Sequence, residues 1–319
     1  MDSKVEYPIN AMRNMDSVAT TNDSKWPSAA TLLHAEPVLG LRNVALLGVS
    51  TYATSVSMRS ASSTPAAIRR ALQRFSTWSF EDGVDLAESV ALVDHGDVDD
   101  PDGEGGSERV ATALAAIDAN TELTVVLGGD NAATWHALRA LGSESLANFG
   151  LITLDAHLDM REGRTNGSPV RQLLDEGLDP VSVVQVGLGE FTNSAAYARH
   201  AMAAGTTIIG RGAFRDEEPA VIARRALEIA GADGRKVYVD IDLDVADQSV
   251  APGCPAAAPG GLGADEIRRF VREVTSSKSV VAIDFTEIDA EQDSIDRRTV
   301  RLAALLVLEA LIGVQRRTA

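Results

Sequence analysis

LITLDAHLDMRE, residues 151–162, is the stretch on which the reading of this chain turns. A short apolar run rich in β-branched residues leads into Asp155, His157 and Asp159 at a spacing of two. A run with no polar face belongs to a strand buried on both sides, as in a parallel sheet. If the backbone stays extended past Leu154, alternation points all three polar side chains to one side. A second stretch, YVDIDLDVADQ (238–248), repeats the pattern with Asp240, Asp242 and Asp244, followed by Asp247. Carboxylates crowded at dry strand ends repel one another unless cations neutralise them. Hard oxygen donors with one imidazole suit manganese better than a thiolate-type zinc site.

Outward from these two stretches, apolar runs alternate with amphipathic ones. The pattern predicts strands at 43–49, 89–93, 123–127, 149–154, 181–186, 206–210, 236–242 and 278–285. Helices are predicted near 65–75, 107–119, 132–141, 169–177, 194–204, 216–230, 264–276 and 297–314. Pro65 suits a helix first turn, with Ser63 and Thr64 ahead of it. Apolar strands alternating with helices imply an α/β fold, three layers α/β/α around a central parallel sheet of eight strands. Residues 1–40, without a clear period and with Pro8, Pro27 and Pro37, read as an N-terminal arm, and 41–319 as one domain. In such sheets function collects at the carboxyl ends of the strands, where the carboxylates lie.

The chain has 319 residues, 45% of them hydrophobic, enough for a large core. A net charge of −17 argues against a nucleic-acid partner. No apolar run reaches the length of a membrane span, and the N-terminus has no signal-peptide core. The single cysteine, Cys254, excludes an internal disulfide and fits a cytoplasmic location. His34, His95, His136 and His200 carry no motif.

At the two carboxylate stretches the chain resembles the ureohydrolase family of arginases, agmatinases and formimidoylglutamases. DAHLDMR is similar to the family's first metal signature. DIDLDVADQSVAPG (240–253) is similar to the second, with Gln248 where a proline is usual. VVLGGDNAATW (125–135) resembles the Gly-Gly-Asp-His-Ser signature, DFTEIDAEQD (284–293) the late acidic motif, and STPAAIRRAL (63–72) the early helix. The resemblance implies two Mn²⁺ ions per chain bridged by Asp155 and Asp242. His157 and Asp244 would hold one ion, and Asp159 with Asn131 or a water the other. It implies Asp159 as the proton carrier, Glu287 as partner of the cationic amidine, Asp130 as a group orienting His157, and a homo-oligomer, trimer or hexamer.

Two positions depart from the pattern. Asn131 stands where a metal-binding histidine is usual; its amide oxygen is a weaker ligand, so that ion binds more loosely, and as an alternative Asn131 only caps helix 132–141. In RTNGSPV (164–170), Asn166 replaces the proton-shuttling histidine of arginases and sits in an Asn-Gly turn. The resemblance implies a small amidine as substrate. The loop GLGEFTNSAAY (187–197), with Asn193, lacks the acids that hold a cationic tail, and Arg161 and Arg164 flank the metal motif, with Arg171 and Arg211 nearby. Guanidinium groups suit carboxylates. These features resemble the formimidoylglutamase branch and imply hydrolysis of N-formimidoyl-L-glutamate to glutamate and formamide. A guanidino-compound hydrolase such as an agmatinase, and a non-catalytic relative, stand as alternatives.

Overall fold

The computed structural model describes residues 23, 25–57 and 60–317, so residues 1–22 of the expected arm lie outside it. Eleven strands occur among the described residues: β1 (Leu33–His34), β2 (Arg42–Val49), β3 (Trp78–Ser79), β4 (Val84–Asp85), β5 (Val90–Asp97), β6 (Leu123–Gly128), β7 (Phe149–Leu154), β8 (Val183–Leu188), β9 (Thr207–Gly210), β10 (Lys236–Asp242) and β11 (Val280–Thr286). The α-helices are α1 (Thr64–Ala71), α2 (Gly106–Ala115), α3 (Ala132–Leu141), α4 (Pro169–Asp175), α5 (Ala195–Ala204), α6 (Pro219–Ala230), α7 (Ala264–Thr275) and α8 (Arg298–Gln315). Each predicted strand and helix has its counterpart. No helix among the described residues is long and apolar enough to cross a membrane.

The central sheet has nine strands in the order β1-β5-β2-β6-β11-β10-β7-β8-β9, all pairs parallel. The expected count was eight. The ninth is β1, which pairs Leu33 with Leu92 and His34 with Val93 and draws part of the expected arm into the sheet. Two residues are too few to show a period of two, so the edge strand left no pattern in the sequence. β3 and β4 form a separate antiparallel pair.

Alternation along the strands explains the layers. Ile152, Leu154, Val237, Val239 and Ile241 belong to one apolar cluster, with buried residues of α1, α6, α7 and α8. Leu151, Tyr238 and Ala282 belong to the other, with residues of α2, α3, α4 and α5. α8 is buried almost all round, so its one deeply buried acid, Glu309, needs partners. Arg268 and Arg272 of α7 supply them at 2.7 and 2.5 Å.

The chain fills the sheet from β2 outward to β5, back to β6, across to β7, β8 and β9, and then inserts β10 and β11 between β7 and β6. The four central strands therefore come from distant parts of the sequence, and their carboxyl ends open at the reversal of strand order.

Candidate active site and metal centre

β7 stops at Leu154, so the condition of an extended backbone through Asp159 is not met. The chain bends at Ala156 and His157, and Asp159 takes a left-handed φ of 50°. Strand alternation therefore does not gather the three side chains; the bend does. Asp155 Oδ1 accepts from the backbone N–H of His157 at 2.6 Å. His157 Nδ1 lies 2.6 Å from Asp244 Oδ2, and Asp244 Oδ1 accepts from the N–H of Ala156 at 3.0 Å. β10 ends at Asp242, whose Oδ1 accepts from the N–H of Asp244 at 2.8 Å and starts the 3₁₀ turn Leu243–Val245 that carries Asp244 inward. One ligand atom each from Asp155, His157 and Asp244 lies within 4.8 Å of the others.

Five acids, Asp155, Asp159, Asp242, Asp244 and Glu287, are buried together at 6% exposure or less. Burial, then the charges of Asp244 and Asp159, push Asp155 well above the usual carboxylate range. Burial, then Asp244 and Asp155, do the same to Asp242. Burial pushes Asp159 up to about 7 and Glu287 up to about 8. Burial also opposes a charge on His157, but the hydrogen bond and charge of Asp244 win and raise it to about 9. Asp155 Oδ2 is buried without a hydrogen-bond partner. An orphaned carboxylate oxygen beside an imidazole and further acids is the donor set a hard divalent cation satisfies.

Asn131 begins α3, yet its side chain makes no cap hydrogen bond, which removes the reading as a mere cap. Its Nδ2 donates to Asp159 Oδ2 at 2.6 Å, its Oδ1 accepts from Thr134 Oγ1 at 2.6 Å, and its backbone N–H donates to Glu287 Oε1 at 3.1 Å. The amide nitrogen, not the oxygen, faces the acids. Asp130 caps α3 at Ala132 (3.1 Å) and makes none of the His157 contacts expected of it. Ahead of it, Gly129 is obligatory: a Cβ there would lie 2.1 Å from the Thr51 carbonyl oxygen.

Asn166 Nδ2 donates to Glu287 Oε1 at 2.8 Å, and Asn166 Oδ1 accepts from the N–H of Val56 at 3.2 Å. The Asn-Gly turn thus presents Asn166 to the acid, as expected, and ties it to the 51–57 loop. Glu287 follows β11 with a φ of 56°. A non-glycine residue in this region costs of order 1–3 kcal/mol, and such strain collects at functional sites.

His157, Asp159, Asn166, Asp242, Asp244 and Glu287 line a cavity of about 420 Å³, walled further by Val56, Ser57, Arg161, Thr192, Asn193 and Tyr197. Arg161 lies at its rim, its stem packed on Gly167. Arg164 is a correction: it is not among the lining residues and stacks its guanidinium 5.4 Å from the Trp135 ring centroid. Arg171 pairs with Asp175 at 3.7 Å, one helical turn away. Asn193 lines the cavity but holds the loop: its Oδ1 accepts from Leu158 N–H at 2.8 Å and its Nδ2 donates to the Ala156 carbonyl at 3.0 Å. Asp247, outside the cluster, accepts from Ser249 and Gly260 in a turn. Cys254 is a small buried residue. The sequence reading missed Thr134, although its place three residues after Asn131 on a helix is a neighbour signal.

Comparison with known proteins places these features among relatives. The model of the arginase family matches residues 42–313. The formimidoylglutamase of Bacillus subtilis (strain 168) is 33% identical over 284 residues, 86% of this chain and 88% of that protein. The crystal structure of formimidoylglutamase from Bacillus subtilis superposes with a TM-score of 0.86 at 29% identity, over 97% of this chain and 100% of that one. A formiminoglutamase of Trypanosoma cruzi, solved with Mn²⁺, shares the fold at a TM-score of 0.81 and 22% identity, over 92% and 100% of the two chains.

Proposed function

This chain belongs to the arginase family, and from that premise we propose that it hydrolyses N-formimidoyl-L-glutamate to L-glutamate and formamide with manganese as its metal. The observation that carries the reading is the cluster in which His157, Asp159, Asp242, Asp244 and Glu287 line the cavity, with buried Asp155 beside His157 and with Arg161 at the cavity rim. The relatives named above support the substrate. The donor set of oxygens and one imidazole supports the metal.

Asp155, His157 and Asp244 would hold one ion, and Asp242 would be the carboxylate shared with a second. Asp159 would hold the second ion, with a water in place of Asn131, whose oxygen accepts from Thr134. Asp159 is already engaged by the Asn131 amide, so two ions per chain bind with unequal affinity. Bound manganese supplies Lewis acidity that makes water acidic enough to serve as a nucleophile near neutral pH.

The remaining work falls to side chains. Glu287, its Oε1 fixed by Asn166 and Asn131, keeps Oε2 for the cationic amidine and sets its orientation. Arg161 pairs with a substrate carboxylate. Water oxygen bonds to the formimidoyl carbon while the bond from that carbon to the glutamate α-nitrogen breaks. Asp159, its Oδ2 held by Asn131, takes the water's proton and returns it to the departing nitrogen. Asn166 carries no titratable proton and serves as a fixed hydrogen-bond donor, which a neutral leaving amine tolerates.

The test is a substrate panel. Formimidoylglutamate, agmatine and arginine are assayed with added manganese, scoring formamide against urea. Formamide release with little urea supports the proposal; faster urea release from agmatine or arginine replaces it with the guanidine reading. The family resemblance supports a trimer or hexamer and the single cysteine a cytoplasmic location; sedimentation velocity and cell fractionation test them.

A further inference from the structure

We infer that Thr134 is a positioning residue: its hydroxyl, anchored on Asp284 and Tyr238, fixes the side-chain amide of Asn131 so that the N–H end faces Asp159. α3 lies over the sheet face that carries Tyr238 and Asp284, and Thr134, Tyr238 and Asp284 are each fully buried. Thr134 Oγ1 lies 2.6 Å from Asn131 Oδ1 and 2.8 Å from Asp284 Oδ2, and the Tyr238 hydroxyl donates to the same Asp284 oxygen at 2.6 Å. At the far end Asn131 Nδ2 lies 2.6 Å from Asp159 Oδ2.

The contacts run from the Thr134 hydroxyl to the Asn131 oxygen and from the Asn131 nitrogen to Asp159. Only the nitrogen end of an amide donates, and a hydroxyl has a single proton. Asn131 turns its nitrogen to Asp159 Oδ2 and its oxygen to Thr134 Oγ1, each at 2.6 Å. The Thr134 hydroxyl reaches two acceptors, Asn131 Oδ1 and Asp284 Oδ2, and the shorter contact is the one to Asn131. A reversed amide would take the acceptor oxygen away from the Thr134 hydroxyl and set it 2.6 Å from an Asp159 oxygen. Besides Thr134, the amide oxygen has only Thr286 Oγ1, at 3.5 Å. Thr134 therefore keeps one oxygen of Asp159 engaged and leaves the other for the reaction. The inference rests on the reading of Asp159 given above.

The test compares Thr134→Val, which keeps the shape and loses the hydroxyl, with Thr134→Ser, which restores it. Thr134→Val is expected to lower kcat about five- to tenfold, the worth of one buried hydrogen bond, with KM within about twofold. Thr134→Ser is expected to return kcat to within about threefold of the parent. A second readout needs no substrate: manganese titration followed by electron paramagnetic resonance, where Thr134→Val weakens the looser ion by about the same factor. Tyr238→Phe leaves α3 intact and carries the test if Thr134→Val does not fold; it is expected to shift both readouts the same way, by about threefold. Parental kcat and manganese affinity in Thr134→Val, or in Tyr238→Phe, overturn the inference. So does a Thr134→Ser as impaired as Thr134→Val. An unmodified protein that binds manganese but leaves formimidoylglutamate intact counts against the proposed activity, while the titration still reads the Thr134 chain.

Discussion

Asn166 and Glu287, 121 residues apart in sequence, meet in a 2.8 Å hydrogen bond from the side-chain amide of the first to Oε1 of the second. The bond uses one carboxylate oxygen and leaves Oε2 unpartnered at the cavity floor.

Glu287→Gln keeps the shape and removes the charge. One end of the new amide would also turn N–H donors toward a cationic amidine. A charge-assisted contact is worth roughly 1.5–3 kcal/mol, so kcat/KM on formimidoylglutamate should fall about one to two decades. Steady-state kinetics at saturating manganese decide it, and a variant within about twofold of the parent rules out the amidine contact.

Without metal, the acid cluster makes stability fall as pH rises. Asp159, pushed to about 7, and Glu287, to about 8, hold protons more tightly folded than unfolded, and Asp155 and Asp242 shift the same way. Their stabilisation is complete below the ordinary carboxylate range, near 4, and is lost as pH climbs through 7 and 8. Asp244 shifts the other way, and its stabilisation is present above the ordinary carboxylate range and lost only as pH falls below it. The chelated protein should therefore melt at lower temperature at pH 8 than at pH 5, and manganese should raise Tm more at pH 8. A metal-free Tm that rises over this range contradicts the account.

Asp242→Ala should abolish turnover while the metal-free protein stays folded at neutral pH. The substitution loses the 2.8 Å bond from the Asp244 N–H, about 1 kcal/mol, and relieves repulsion with Asp155 and Asp244. Thermal melts should agree within a few degrees while manganese binding fails. Substantial activity would refute the shared-carboxylate role.

The arginines separate cleanly. Arg161, at the cavity rim, should matter: Arg161→Ala lowers kcat/KM for formimidoylglutamate about tenfold, discounted for its exposure. Arg164, stacked on Trp135, should not: Arg164→Ala stays within about threefold. Equal losses in both variants would show that the carboxylate is held another way.

The sequence by itself determined the α/β architecture, eight of the nine sheet strands and the identity of the metal-binding candidates. Those depend on local patterns: apolar runs that no water can face, and acids too densely spaced to stay bare. Tertiary structure decided what those residues do to one another. Alternation along an extended strand was the wrong reason for grouping Asp155, His157 and Asp159, because the bend at Ala156–His157 and the left-handed Asp159 gather them instead. Arg161 and Arg164 look alike in sequence, yet one borders the cavity and the other packs on an aromatic ring. Asn131 looked like a ligand or a cap, and its amide turns its nitrogen to Asp159 because Thr134 holds the oxygen. Direction of this kind is set by groups brought from β10 and β11 to face α3. A hydrogen bond's direction depends on where its partner's proton lies, and that partner is placed only when distant strands pair.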